Sequence, residues 1–137
     1  MKISSKSRYG LKACQVMAEN YEGAQPIGLS VISRQAGVTD AYLEQIMILL
    51  RRAGIVDSVR GVSGGYYLSR PPEEITVGEV MRALEDGLEI AKCIHTPCAD
   101  GAHCKTRDIW YKIYRSINKV LDDMTLKDML GQQEEKE

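Results

Sequence analysis

The feature that most limits how this chain can fold is a pair of short helices joined by a glycine turn, in the stretch LSVISRQAGVTDAYLEQIMILLRRAGIV. Ser30 is a favourable cap for the first helix, and Gly37 is a favourable residue to end it. Thr39 or Asp40 can then cap a second helix that ends at Gly54. Two short helices with a tight turn between them predict a helix-turn-helix unit.

Elements on either side of this pair complete the order of a winged helix. Residues 5–21 place apolar side chains at helical spacing after cap-type serines. IVDSVR and GYYLS are typical of two short strands around the turn GVSGG, and VGEVMRALED predicts a helix that opens near Thr76 and ends at Gly87. We therefore expect a mainly α fold with a small β-hairpin wing, a winged helix-turn-helix domain over residues 1–86.

The rest of the chain divides into three segments. Residues 87–105 show no regular periodicity and contain most of the cysteines. Residues 106–130 predict a long C-terminal helix and a short helix after it, and residues 131–137 predict a disordered acidic tail. The long helix either packs on its own domain or pairs with a second copy, and we favour a homodimer because symmetric dimers are the commonest oligomers. Its apolar stripe consists of Ile109, Trp110, Ile113, Ile117, Val120 and Leu121.

The charged residues are unevenly distributed. Residues 1–70 carry nine Lys and Arg against five Asp and Glu, whereas residues 71–137 carry nine against fourteen. A basic first half is suited to a polyanion, although a randomly charged, solvated surface would give the same count. The sequence contains neither an apolar run of membrane-spanning length nor a secretory signal, so we expect a cytoplasmic protein without a membrane partner.

Several side chains of the predicted DNA-reading elements are candidate DNA contacts. In a winged helix the second helix of the turn enters the major groove, and the hairpin reaches phosphates or the minor groove. Gln45 can pair with an adenine edge, whereas the carboxylate of Glu44 repels phosphates and accepts only from cytosine, so Glu44 is a candidate selectivity switch. Each of these residues is also typical of an ordinary helix surface. The candidate DNA-binding residues are Ser5, Lys6, Tyr9, Thr39, Tyr42, Gln45 and Arg60.

The stretch KCIHTPCADGAHC predicts a metal or redox site. Three thiols on a loop that contains Gly and Pro can converge on one centre, and soft thiolates prefer iron–sulfur clusters, zinc or copper(I). An iron–sulfur cluster, a zinc site completed by a histidine, and a metal-free thiol switch all remain open from these residues alone. The candidate ligands are Cys93, Cys98 and Cys104, with His95, His103 or Asp108 as the fourth.

Four segments together resemble the IscR-type winged-helix regulators of bacteria. They are MKISSKSRYGLKA, YLEQIMILLRRAGIVDSVRGVSGGYYLSR, ITVGEVMRALE, and the late cysteine pattern followed by TLKDML. The resemblance runs from Met1 to about Leu130. It implies a homodimeric DNA-binding transcription regulator, not an enzyme, that senses iron–sulfur status, nitric oxide, iron, redox state or cysteine supply through the late loop. No catalytic constellation is visible in the sequence to favour an enzyme instead.

The resemblance also implies roles by position. Tyr42, Gln45 and Arg60 correspond to DNA contacts, and Glu44 corresponds to a residue that makes site choice depend on the cluster. The three late cysteines correspond to the ligands of a two-iron or four-iron cluster. The spacing of the first two cysteines is one residue shorter than in the IscR pattern.

Both positions at which relatives supply a fourth ligand depart from the pattern. Arg107 occupies the position of the histidine ligand, and Arg8 occupies the position of an aspartate that nitric-oxide-sensing relatives take from the partner subunit. We expect a dimeric repressor controlled by an iron–sulfur cluster. The alternatives are a zinc-stabilised or thiol-switch regulator, and a regulator controlled by a protein partner such as a metabolic enzyme.

Overall fold

The computed structural model describes residues 2–23, 25–85 and 104–131. Within these ranges the chain is mainly helical, with one antiparallel two-stranded hairpin, as expected of a winged helix. The predicted fold class is therefore confirmed. In chain order the elements are α1 (Ser5–Glu19), α2 (Leu29–Ala36), α3 (Asp40–Arg52), β1 (Val56–Val59), β2 (Gly65–Leu68), α4 (Val77–Leu84), α5 (Arg107–Asp123) and α6 (Leu126–Gly131).

The turn between α2 and α3 forms as its residues predict. Gly37 ends α2 with φ of 79°, a left-handed conformation that side chains with a Cβ adopt only at a cost. Thr39 caps α3, because its hydroxyl oxygen accepts from the backbone N–H of Tyr42 at 3.2 Å. The helix-turn-helix unit is thus specified by signals that act within a few residues.

Ser30 does not cap α2, and this prediction was wrong. The cap position belongs to Gly28, and Ser30 lies inside the helix. The Ser30 hydroxyl donates to Asp40 Oδ2 at 3.1 Å, and the Ser33 hydroxyl bonds the other oxygen of the same carboxylate. An ionised carboxylate is a stronger acceptor than a neutral group, so these serines tie α2 to α3 instead. The hydrogen bonds from Ser33 and then Ser30 hold the pKa of Asp40 below its usual value.

The core lies between α1, α2, α3, the hairpin and α4. Its fully buried side chains are aliphatic or sulfur-containing, as expected for a chain that has no Phe. They interlock helices that are distant in sequence, so the reading helix α3 sits on a close-packed base. The largest of them are Met17, Ile32, Leu43, Ile46, Met47, Leu50, Ile55, Leu68, Ile75 and Leu126.

The hairpin is attached to the helical domain by a third short segment. Ile27 exchanges both backbone hydrogen bonds with Tyr66 of β2, at 2.9 and 2.8 Å. Gly65 makes this approach possible, because a Cβ there would lie 2.1 Å from the Ile27 carbonyl oxygen. The wing that follows β1 therefore projects from a fixed base, with Arg60 exposed at its start.

The predicted helix ends differ from the observed ones by a few residues. α1 ends at Glu19 rather than Tyr21, and α4 ends at Leu84, with Glu85 in an extended conformation. Glu85 Oε1 accepts from the backbone N–H of Ser4 at 2.8 Å, so the end of α4 is tied to the first turn of α1. The predicted end at Gly87 and the tail after residue 131 lie outside the described residues.

α5 differs from every preceding helix, because none of its residues is buried. It begins one residue after the predicted start at residue 106 and extends two residues beyond Leu121, the last residue of the apolar stripe. After it the chain returns to the domain: Leu126 of α6 is fully buried, and its N–H donates to the Ile75 carbonyl at 2.9 Å. Among the described helices, none has the length and apolar character needed to span a bilayer.

Candidate nucleic-acid interface and cysteine segment

One face of α3 is presented to solvent. Leu43, Ile46 and Met47 are fully buried, and this orientation leaves Glu44 and Gln45 exposed on the opposite side of the helix. A polar, exposed face on the second helix of a helix-turn-helix unit has the dimensions and the chemistry to enter a major groove. The two candidates on α3, Glu44 and Gln45, therefore lie on the side that faces away from the core.

Two tyrosines link α1 to the reading helix. The rings of Tyr9 and Tyr42 meet edge to face, with their centroids 6.1 Å apart and their planes at 82°. The Nζ of Lys12 lies 5.2 Å from the centre of the Tyr9 ring, and the guanidinium carbon of Arg8 lies 5.9 Å from it. This tyrosine–cation cluster (Arg8, Tyr9, Lys12 and Tyr42) places two positive charges beside the N-terminal half of α3.

Arg8 and Lys12 were missed as candidates for contact with DNA. A signal was available for Lys12, since a cation three residues after Tyr9 lies near it on the helix surface. Ser5 belongs to the same surface, where its hydroxyl accepts from Arg8 Nη2 at 3.2 Å. Lys6 is half-buried, and so is less free than the sequence indicated.

The remaining candidate contacts occupy two other places. Thr39 is exposed, and although its oxygen accepts from the Tyr42 N–H, its own proton is available to a phosphate. Arg60 is exposed on the wing, followed by the fully exposed Val62. The structure thus groups Ser5, Tyr9 and Tyr42 around one cluster and gives Arg60 a separate position.

The described part of the cysteine segment is its C-terminal end. Cys104 is half-exposed, and its Sγ lies 3.2 Å from Thr106 Oγ1 just before α5 begins. Asp108 is exposed in the first turn of α5. Within the described ranges no three His, Cys, Asp or Glu side chains are gathered as a metal site requires. The other candidate ligands, Cys93, His95, Cys98 and His103, lie outside the described residues.

The fourth cysteine is chemically unlike a ligand. Cys14 is fully buried on the core face of α1, and burial raises the pKa of its thiol to about 12. It is therefore protonated at neutral pH and packs as a small hydrophobic side chain. The candidate ligands among the cysteines are therefore the three late ones.

A comparison with family models adds to this geometry. The model of the Rrf2 family, described as an iron-dependent transcriptional regulator, matches residues 3–132. The chain belongs to the Rrf2 family. The chain is thus an Rrf2-family transcriptional regulator.

Relatives named IscR match this Rrf2 chain over most of its length. The HTH-type transcriptional regulator IscR of Aliivibrio salmonicida is 38% identical over 132 residues, which are 95% of this chain and 77% of the relative. IscR of Escherichia coli O139:H28 is 36% identical over 135 residues, 98% of this chain and 83% of the relative. These relatives are named as regulators of transcription.

Two solved structures superpose on most of this chain. IscR of T. potens is 38% identical and has a TM-score of 0.79, covering 98% of this chain and 90% of that one. CymR, the global cysteine regulator of B. subtilis, is 33% identical with a TM-score of 0.80, covering 96% of this chain and 98% of that one. These relatives and structures confirm the resemblance to IscR-type regulators, and the chain is similar to CymR as well.

Proposed function

We propose that this protein is a homodimeric repressor that binds double-stranded DNA in the cytoplasm and whose DNA binding is controlled by an iron–sulfur cluster. The observation that supports DNA binding most strongly is the exposed face of α3 beside the tyrosine–cation cluster. Polar side chains that read base edges and cations that meet phosphates stand next to one another there. The combination is what a specific DNA contact requires.

Each part of this surface has a distinct role in the proposal. Gln45 reads an adenine edge, and Glu44 restricts the acceptable sequences by accepting from cytosine and repelling phosphates. The tyrosine–cation cluster, with Ser5, Lys6 and Thr39, holds the DNA backbone. Arg60 on the wing enters the adjoining minor groove. The winged-helix domain over residues 1–86 is therefore the DNA-binding domain.

The apolar face of α5 supports the homodimer. Ile109, Ile113 and Val120 are 53%, 39% and 57% exposed, and Ser116, Ile117, Val120 and Leu121 line a shallow apolar depression on the same face. A stripe of this length on an otherwise charged helix is stable in water when another apolar surface covers it. A second copy supplies that surface by symmetry, so that within residues 106–130 the helix α5 forms the dimer interface and the short helix α6 packs on its own domain.

The cysteine segment, residues 87–105, has a donor set that fits an iron–sulfur cluster. Cys93, Cys98 and Cys104 supply three thiolates, and such clusters are held by thiolates. Cys104 lies two residues before the N-cap of α5, and the Thr106 hydroxyl lies within hydrogen-bond distance of its sulfur. Asp108, in the first turn of α5, is a candidate for the fourth ligand and would bind through oxygen. His95 and His103 are the other candidates.

The chain couples this segment to both functional regions. Glu85, just before it, is bonded to the first turn of α1, which carries the tyrosine–cation cluster. Cys104, at its other end, directly precedes the proposed dimer helix. Gathering three thiolates at one centre would shorten and order the connection between these two anchors. The posture of the two α3 helices on DNA would then differ between the loaded and the unloaded protein.

The metal content of the protein tests the proposal. Protein purified without oxygen should contain iron and acid-labile sulfide and absorb visible light, and Cys93→Ala, Cys98→Ala and Cys104→Ala should each lose both. Cys14→Ala is a matched control that should keep them, since its thiol lies in the core. Stoichiometric zinc that is insensitive to oxygen would contradict the cluster and favour a structural zinc site. Metal-free protein whose DNA binding ignores all three substitutions would favour control by a protein partner.

A further inference from the structure

α4 and α5 lie close together at Gly78. A Cβ at this position would lie 2.4 Å from Asp122 Oδ1, 2.9 Å from Arg82 Nη1 and 3.3 Å from the backbone carbon of Leu121. Gly78 therefore leaves the space that the Asp122 carboxylate and the Arg82 guanidinium occupy between the two helices. Close contact between helices at a small residue defines their separation, but it leaves the angle between them to the neighbouring side chains.

Arg82, one turn further along α4, spans the crossing. Its Nη1 donates to Asp122 Oδ1 at 2.6 Å and its Nη2 donates to Asp122 Oδ2 at 3.0 Å, while Nη2 also donates to Asn118 Oδ1 at 2.7 Å. Asn118 is itself held by a hydrogen bond to the Tyr114 carbonyl at 2.8 Å. A planar guanidinium that meets a carboxylate with both nitrogens has one favoured orientation, so it restricts the angle of α5.

The other attachments of α5 lie at its C-terminal end. Val77 and Met81 of α4 pack with Leu121 and Met124, and the Val77 N–H donates to the Met124 carbonyl at 2.8 Å. These contacts hold the end of α5 to the domain. Arg82 holds Asp122, beside these contacts, and also Asn118, one turn earlier on α5. The contact with Asn118 provides the second point that a direction requires.

We propose that Arg82 is a positioning residue that sets the angle between α5 and the reading helix, and through it the spacing of the two DNA half-sites. The inference rests on the proposed dimer through α5. α4 shares one buried cluster with α3, since Val80 and Leu84 pack with Leu43 and Ile46. A change at the crossing is therefore passed to α3 as a rotation of the whole reading domain.

The size of the effect follows from the length of α5. Its 17 residues span roughly 25 Å at 1.5 Å per residue. A tilt of about 10° at one end displaces the other by roughly 4 Å, close to the rise of one base pair. Loosening the fork of Arg82 should then let the dimer accept half-sites that are one base pair too close or too far apart.

Spacing preference of the intact chain is the measurement. Wild-type protein first selects its site from random duplexes, and binding is then compared for duplexes with one base pair inserted or deleted between the half-sites. We expect discrimination of at least about tenfold in the wild type and about twofold or less in Arg82→Gln and Asp122→Asn. Arg82→Lys, which keeps the charge without the fork, should be intermediate. Lys119→Gln, a charge removed from the exposed surface of the same helix, should keep the wild-type preference.

Two further readouts separate the inference from the proposed function. Dimer mass by sedimentation and affinity for an isolated half-site should be unchanged in Arg82→Gln and Asp122→Asn. Retained spacing discrimination in both variants would overturn the inference alone, and loss of the dimer in both would overturn it too, since Arg82 would then hold α5 rather than orient it. A monomeric wild type, or one without a spacing preference, would overturn the dimeric reading of DNA together with the inference.

Discussion

The helices of the winged-helix domain and α5 have similar amphipathic patterns, but their apolar faces differ in burial. In the domain, apolar stripes of α1, α3 and α4 close on one another, and residues such as Ile46 and Leu50 are fully buried. In α5 an equally regular stripe contains no fully buried residue, and Val120 is 57% exposed. Amphipathic periodicity thus identifies a face that needs covering, and only the rest of the structure tells whether the cover lies in the same chain.

Two isoleucines on α3 test whether burial of the apolar face stabilises the winged-helix domain. Ile46 is fully buried and Ile48 is 47% exposed. Ile46→Ala should lower the free energy of unfolding by about 2–5 kcal/mol, because it removes packed atoms and leaves a cavity. Ile48→Ala should change it by less than about 1 kcal/mol. Urea unfolding of the two variants measures both, and equal losses would contradict the described core.

A charged substitution in the exposed apolar stripe of α5 should separate the dimer without unfolding the domain. Ile113→Glu places a carboxylate on the proposed dimer face of α5 without touching the core, so the domain should stay folded while the dimer separates. Sedimentation should give a mass near 15.3 kDa instead of about twice that value. Affinity for a two-half-site duplex should fall by about 100-fold through loss of bivalence. A variant that remains dimeric would remove α5 from the interface.

The reading of bases should depend on the domain alone. Gln45→Ala should reduce discrimination at one position in each half-site by about 1–3 kcal/mol and leave the dimer intact. The measurement is binding to a set of duplexes with single base changes. A uniform loss across all of these duplexes would instead make Gln45 a phosphate contact.

Lys12 should show the opposite behaviour to Gln45. Its ammonium group lies 5.2 Å from the centre of the Tyr9 ring and is assigned to the DNA backbone. Lys12→Gln should weaken binding to all duplexes alike and reduce the slope of log affinity against log salt by about 1. Affinity titrations at several salt concentrations give this slope. An unchanged slope would show that Lys12 of the tyrosine–cation cluster does not contact the DNA backbone.

The smallest expected effect concerns Glu85, which joins the domain to the cysteine segment. Burial alone would raise the pKa of its carboxyl, but the Ser4 N–H and the nearby Ser7 and Ser4 hydroxyls outweigh it and lower the pKa below the usual 4.5. A lowered pKa stabilises the fold above pH 4.5, and this contribution is lost as the pH falls through the lowered value. Glu85→Gln should therefore cost about 0.5–1 kcal/mol at pH 7, and the difference should shrink at acidic pH. A difference that does not depend on pH would contradict the ionic contact.

The sequence predicted what depends on near neighbours. Gly37 and Thr39 act within one turn, and the helix-turn-helix unit followed from them. Contacts across the chain left no local signal. Ser30 bonds a carboxylate 10 residues away, Glu85 meets α1 at a separation of 81 residues, and Arg82 meets Asp122 at a separation of 40.

The candidate site was predicted unevenly for the same reason. The outward face of α3 follows from a helical period, so Glu44 and Gln45 were placed correctly. Arg8 and Lys12 were missed because a cation on a helix surface is typical of a solvated face until a neighbouring ring is seen. Of the three cysteines, Cys104 is the one within the described residues, and the proposed ligand set as a whole stays a prediction.

The central claim, that three late cysteines control DNA binding, is tested most directly by comparing affinities for one selected duplex. Wild-type protein loaded with iron and sulfide without oxygen, the same protein after the metal is removed, and Cys104→Ala are measured side by side. The account predicts that loaded wild type differs from the other two by at least about fivefold, and that those two agree. Equal affinity in all three, with iron and sulfide bound in the first, would contradict it.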